Sequence, residues 1–156
     1  MFIGTHIVKL DDKGRLVFPS SLKAQAEREG AEKLSFVVKK IVDLDSLEIV
    51  TLQVWERKIR AILKTLNTDF NPKAKTWWRG YHRDCAQVEP DEKMGRILIP
   101  KHLLEKIGVT KEVVFVGIGN KIEVWAKERY DAIDVVDSEH AALEEELLGN
   151  IILDFS

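Results

Sequence analysis

The 156-residue chain predicts an α+β fold made of two pseudo-symmetric modules in tandem. Three observations carry that prediction. Asp11-Asp12-Lys13-Gly14-Arg15-Leu16-Val17-Phe18-Pro19 returns as Glu92-Lys93-Met94-Gly95-Arg96-Ile97-Leu98-Ile99-Pro100, with both the glycines and the prolines 81 residues apart, the mark of a tandem duplication. Each proline then opens a short helical stretch that stops at a glycine. Beyond each glycine come two apolar, β-branched runs separated by a turn, and then a second helical stretch.

Taken in order, Ile7 to Leu10 and Arg15 to Phe18 are expected as the strands of a hairpin joined by Asp11 to Gly14. Gly14 takes a positive φ without steric cost, and Asp11 suits the turn by capping its amides. A helix follows from Ser20 to Glu29, then strands beginning with Leu34 to Val38, then the stretch holding Trp55. The bridge between the halves reads as two amphipathic helices: Trp55, Ile59, Ile62, Leu63 and Leu66 share one face, and beyond Asn71-Pro72 so do Ala74, Trp77, Trp78, Tyr81 and Cys85. The second half repeats the order, with a helix over Lys101 to Ile107, strands beginning with Val113 to Val116, and a helical stretch at Tyr130. Residues 138 to 148 form an acidic helix ending at Gly149, ahead of the apolar tail Ile151 to Phe155. The expected segments are 1–66, a first repeat with its helix; 67–84, a basic connecting helix; 85–133, a second repeat; and 134–156, the acidic helix and tail.

With 45% hydrophobic and 32% charged residues, the composition is that of a soluble globular protein. A module of half this length is marginal alone, so the halves should share a core or lean on other subunits. No apolar run reaches the roughly 20 residues a membrane span needs, and Met1-Phe2-Ile3-Gly4 lacks the regions of a signal peptide, so a cytoplasmic address is expected. The single cysteine, Cys85, excludes an internal disulfide and a thiolate metal cage. The net charge of −2 hides an asymmetry: residues 1–88 carry 16 basic and 11 acidic side chains, residues 89–156 carry 8 and 15.

The repeated loop carries the chemistry. Arg15 leaves a rigid turn with Asp11 across it, and an ion pair there would hold the guanidinium in one rotamer. A pre-aimed planar fork suits phosphates or the O6 and N7 edge of guanine. Arg96, with Glu92 or the adjacent Asp91, presents the same group a second time. The structural alternative for one loop alone is that acid and arginine merely pin the turn.

These features together resemble the MraZ family of bacterial transcriptional regulators, which are built from two AbrB-like swapped-hairpin units. The residues behind the resemblance are both Gly-Arg loops with their prolines, Phe2-x-Gly4, Trp55-Glu56, Arg79-Gly80, Thr110 to Gly117 and Asn120 to Trp125, and the likeness runs to about Ala132. The resemblance implies a swapped-hairpin β-barrel from each half and a ring-like homo-oligomer. It also implies binding of double-stranded DNA at short direct repeats in the promoter of the division and cell-wall gene cluster, in the cytoplasm and at the nucleoid. DNA-binding Arg15 and Arg96 carry over, oriented by Asp11 and Glu92 and by the turn glycines Gly14 and Gly95; Lys13 and Lys93 would add phosphate contacts. No cofactor or metal is implied.

Other candidates are weaker. Eight Lys or Arg (Arg57, Lys58, Arg60, Lys64, Lys73, Lys75, Arg79, Arg83) stand against Asp69 alone in residues 57–83. Such a face could follow phosphates, but a solvated face, or one neutralised by the acidic tail, is preferred. Trp77 and Trp78 are expected as packing residues rather than base-stacking ones. His82, Asp84 and Cys85 are the best enzymatic constellation, yet Cys85 on an apolar stripe reads as an inert thiol, and no enzyme is expected. The rival to a DNA-binding regulator is a ring-forming scaffold that binds protein partners alone.

Overall fold

The computed structural model describes residues 1–30, 33–133 and 136–149. The expected apolar tail lies outside these residues. The elements run β1 (Phe2–Lys9), β2 (Leu16–Val17), α1 (Ser20–Glu27), β3 (Phe36–Lys40), β4 (Ser46–Thr51), α2 (Leu52–Thr65) and α3 (Pro72–Tyr81). They continue with β5 (Cys85–Val88), β6 (Arg96–Ile97), α4 (Lys101–Lys106), β7 (Glu112–Gly119), β8 (Ile122–Ala126), α5 (Lys127–Asp131) and α6 (Asp137–Leu148). The α+β class is therefore observed, and the order of elements follows the sequence reading in both halves.

Local chemistry sets the element ends. Pro19 and Pro100 occupy the N-cap positions of α1 and α4. The Thr51 hydroxyl caps α2 by accepting from the Val54 amide at 3.3 Å. The Asn71 side chain accepts from the Lys73 and Ala74 amides, with Pro72 as the first residue of α3, satisfying amides that have no partner within the helix. Asp84, at φ 57, breaks the chain out of α3. Cys85 consequently starts a strand and does not continue the helical stripe on which its periodicity had placed it.

Strand pairing departs from the expected hairpins. β1 does not pair with β2: it runs antiparallel to β7, from Phe2 opposite Gly119 to Lys9 opposite Glu112. β5 lies in the same way against β3, and β2 pairs with β6, Leu16 opposite Ile97 and Val17 opposite Arg96. The large sheet has the order β1-β7-β8-β4-β3-β5. Exchanging the two halves simply reverses this order, so an approximate two-fold axis passes between β8 and β4. In place of one sheet per half there is one sheet to which each half lends its first strand. The reason is burial. An isolated half would leave the β3–β4 or β7–β8 hairpin with an open edge and a half-covered apolar face, and a two- or three-stranded unit of that size is marginal in water.

The core sits between the large sheet, the β2–β6 ribbon and helices α1 and α4. Phe18, just after β2, stacks on Phe36 of β3 at 4.6 Å and meets Phe115 of β7 edge-on at 5.7 Å. One ring thus joins the corresponding strands of both halves, and all three are buried. Leu22 and Ala26 from α1, and Leu103, Leu104 and Ile107 from α4 and its C-cap, complete the cluster.

The exchange demands one bare backbone. Gly4 of β1 lies opposite Gly117 of β7, and a Cβ on Gly117 would lie 2.7 Å from the Ile3 nitrogen and 2.8 Å from the Phe2 carbonyl carbon. Backbone atoms cannot yield as a side-chain tip does. Gly117→Ala should therefore push β1 off β7 and cost roughly 1–3 kcal/mol, as overpacking does. Gly14, at φ 77 with open space around it, should cost about 1–2 kcal/mol as Val, from backbone strain alone. Urea denaturation of both variants measures this; a wild-type midpoint for Gly117→Ala would contradict the close approach of β1.

Candidate nucleic-acid interface

The two Gly-Arg loops are built alike. In the first, the Asp11 amide donates to the Arg15 carbonyl at 2.9 Å and the Gly14 amide donates to the Asp11 carbonyl at 3.0 Å. In the second, the Asp91 amide donates to the Arg96 carbonyl at 2.9 Å and the Gly95 amide to the Asp91 carbonyl at 3.1 Å. Both turns need a glycine at positive φ, 77° at Gly14 and 67° at Gly95, where a side chain would be strained.

Each aspartate does two jobs at once. Asp11 Oδ1 accepts from the amides of Lys13 at 2.9 Å and Arg15 at 2.8 Å, while Oδ2 accepts from Arg15 Nε at 2.8 Å. Asp91 Oδ1 accepts from the Met94 amide at 2.8 Å, and Oδ2 from Arg96 Nε at 2.7 Å. These bonds favour the ionised carboxylate. The Arg15 amide leads in holding Asp11 below the usual carboxylate range, with the Arg15 guanidinium adding to it. The Met94 amide and then Arg96 bring Asp91 down to about 2.

Asp91, not Glu92, is therefore the acid of the second clasp. Glu92 points to solvent with no hydrogen-bond partner among the described residues. The glycine, arginine and proline keep their offset of 81, but the acids are 80 apart, so the second loop spans one residue more. The preference for aspartate has a physical basis: its short stem lets one carboxylate reach both a loop amide and the guanidinium, whereas glutamate would have to order a longer chain. The doublet Asp91-Glu92 hid this shift in the sequence.

The ribbon sets the aim of both arginines. Leu16 and Ile97 are cross-strand partners pointing into the core, at 0% and 1% exposure. Alternation along a strand then sends their neighbours outward. Arg15, Val17, Arg96 and Leu98 share the solvent face, and Val17 and Leu98 are exposed. Arg96 lies opposite Val17, two residues along from Arg15, so the two arginines are diagonal neighbours with Cα atoms about 7–8 Å apart. Their side chains are 29% and 17% exposed. In each the clasp uses Nε alone, and no acceptor among the described residues takes the two Nη groups. Lys13 and Lys93 stand exposed beside them.

The other candidates come out differently. His82 caps α3, with Nδ1 2.9 Å from the Trp78 carbonyl; Asp84 binds Lys106 at 2.6 Å; and burial pushes the Cys85 thiol up. The three are committed elsewhere and form no nucleophile–base pair. Among the described residues no group of three or more His, Cys, Asp or Glu side chains is arranged to hold a metal ion, and no helix is long and apolar enough to cross a membrane. Trp55 of α2 stacks on Tyr81 of α3 at 5.6 Å, and Trp77 and Trp78 join the same group. Trp77 remains 47% exposed, more open than a packing role predicts. The basic face of α2 and α3 makes no ion pair among the described residues.

Comparison with known proteins agrees with this architecture. The family model described as "MraZ protein, putative antitoxin-like" matches residues 1–74 and 83–150. A protein of Bacteroides thetaiotaomicron named transcriptional regulator MraZ is 34% identical over 149 residues, 96% of this chain and 93% of its own length. Proteins with the same name are 37% identical over 150 residues in Flavobacterium psychrophilum, covering 96% of this chain and 92% of that one, and 34% identical over 148 residues in Carboxydothermus hydrogenoformans, covering 93% of each. On a match that spans nearly the whole chain, this protein belongs to the MraZ family.

Proposed function

We propose that the protein is a sequence-specific DNA-binding transcriptional regulator whose reading face is the outer side of the β2–β6 ribbon. The observation that carries this is the pair of clasped arginines on one solvent face. A two-stranded ribbon fits the major groove, and a guanidinium held through Nε keeps its two Nη groups for the O6 and N7 edge of guanine or for a phosphate. Lys13 and Lys93 then supply phosphate contacts that position the ribbon without reading sequence. The names of the relatives support the regulator class, and membership of that family supports a non-enzymatic role.

The exchange of first strands between the halves is, in this reading, the swapped-hairpin arrangement of AbrB-like units, formed inside one chain. The division into segments 1–66, 67–84, 85–133 and 134–156 then describes the duplication, while the folded unit is their sum. A homo-oligomeric ring, acting from the cytoplasm on direct repeats ahead of the division and cell-wall genes, completes the proposal. Because each chain brings one small ribbon and the net charge is negative, affinity depends on several ribbons meeting spaced repeats at high effective concentration.

Fluorescence anisotropy with a duplex from that promoter, beside a scrambled duplex and at several salt concentrations, tests the reading. Arg15→Ala or Arg96→Ala should each cost roughly 1–3 kcal/mol per reading contact, with folding retained, and log K should fall steeply with log salt. Equal, negligible binding to both duplexes would leave the protein-scaffold alternative. The clasp adds a separate expectation: Asp91→Asn should weaken binding, and Glu92→Gln should leave it unchanged. Asp91 titrates near 2 in the fold against an ordinary 3.8. A depressed carboxylate stabilises the fold above its ordinary value and loses that contribution as pH falls through the folded one. The stability gap between wild type and Asp91→Asn should thus be full above pH ~5 and close between pH ~4 and ~2; a gap independent of pH would show that Asp91 is not ionised in the clasp.

A further inference from the structure

We propose that α6 of one copy docks on the basic, aromatic face of α2 and α3 of a second copy. This inference rests on the homo-oligomer part of the proposed function and needs none of its DNA chemistry.

The donor is a helix that no other described residue covers. All 12 residues of α6 are exposed, and an isolated helix of about that length is marginal in water. It carries five acids (Asp137, Glu139, Glu144, Glu145, Glu146) and no Lys or Arg, and none of the five forms an ion pair among the described residues. Leu143 and Leu147, 54% and 75% exposed, lie one turn apart on one face. Glu139 and Glu146 fall on the same side.

The acceptor is the complement in charge and in shape. The eight Lys and Arg between residues 57 and 83 face a single acid, Asp69, and none is ion-paired among the described residues. Between the end of α2 and the start of α3 lies a groove of about 460 Å³ lined by Leu66, Asn71, Lys73, Ala74 and Trp77. A second hollow, of about 470 Å³, lies on another side of α3, beside Lys75, Trp78 and Arg79. An acidic helix with two leucines one turn apart can seat them against Trp78 in this second hollow while its glutamates meet Lys75 and Arg79 on the same side of α3. Unlike an exposed surface pair, such contacts are partly desolvated by the aromatic rings.

A second copy fits better than the same chain. α6 leaves from α5, which packs on β7 and β8, whereas α3 is tied to the opposite half of the sheet, where Lys39 of β3 donates to the Tyr81 carbonyl. Duplex DNA on the same face would neutralise the lysines but leave the leucines of α6 uncovered. With one donor and one acceptor per chain, the contact closes as a reciprocal pair or as a ring.

Two measurements on the full chain test this. Carbodiimide cross-linking of an equal mixture of unlabelled and 15N-labelled protein, read by mass spectrometry, should give mixed-isotope links from Glu139 or Glu146 to Lys75. Links within one isotope only would place the contact inside a chain and overturn the proposal, as would an oligomer without these links; a monomeric wild type would instead overturn the oligomer reading itself. In the second measurement, Glu139→Lys/Glu146→Lys and Lys75→Glu/Arg79→Glu are examined by light scattering, each alone and as a mixture. Each alone should lose roughly half or more of the wild-type assembly mass, and the mixture should regain it, since each chain then finds an opposite charge only on the other. Unchanged mass in both variants, with promoter-duplex binding lost in the lysine-reversed one, would refute the contact and assign the face to DNA.

Discussion

Everything in this fold depends on the exchange of first strands between its two halves. β1 closes the edge of the β7–β8 hairpin, β5 closes that of β3–β4, and the short β2 and β6 are left to pair with each other. Removing any one of these pairings would open a sheet edge and uncover the Phe18–Phe36–Phe115 cluster. The energetic logic is that of a small module that cannot bury enough apolar surface alone and solves the problem by sharing. Within one chain this sharing costs only the closure of the connection, which grows slowly with length.

The same exchange makes the candidate site. A loop on a free hairpin tip would project one arginine at an angle set by a mobile turn. Pairing β2 with β6 instead places both arginines on one side of one ribbon, over a fully buried Leu16–Ile97 pair. The aspartate clasps then remove the remaining freedom of each guanidinium, so that little side-chain entropy is left to lose on binding. Their energy is modest, because the pairs are accessible to water; what they supply is orientation.

Much of this was legible in the sequence, and the failures are physical. Helix α1 between Pro19 and Gly30, α4 between Pro100 and Gly108, and the β-branched runs of β3 and β7 are local signals and emerged where expected. Strand partners are not local: Ile7 to Leu10 alternates in the same way whether it pairs with Arg15 to Phe18 or with β7, so periodicity alone could not show the exchange. The identity of the second acid was hidden because two acids adjoin and only a one-residue change in loop span separates them. Cys85 fitted a helical period, but the helix ends at Tyr81 and Asp84, at positive φ, turns the chain into β5. The acidic α6 showed its charge and its glycine stop, yet not that its apolar side has no cover among the described residues.

The most direct test of the central claim, that one ribbon carries both reading arginines, is hydrogen–deuterium exchange of the full chain with and without a promoter duplex. The account predicts that amides of residues 11–17 and 91–97 gain protection together on adding DNA, at salt concentrations where binding is seen. Protection confined to α2 and α3, with both loops exchanging as in the free protein, would contradict it.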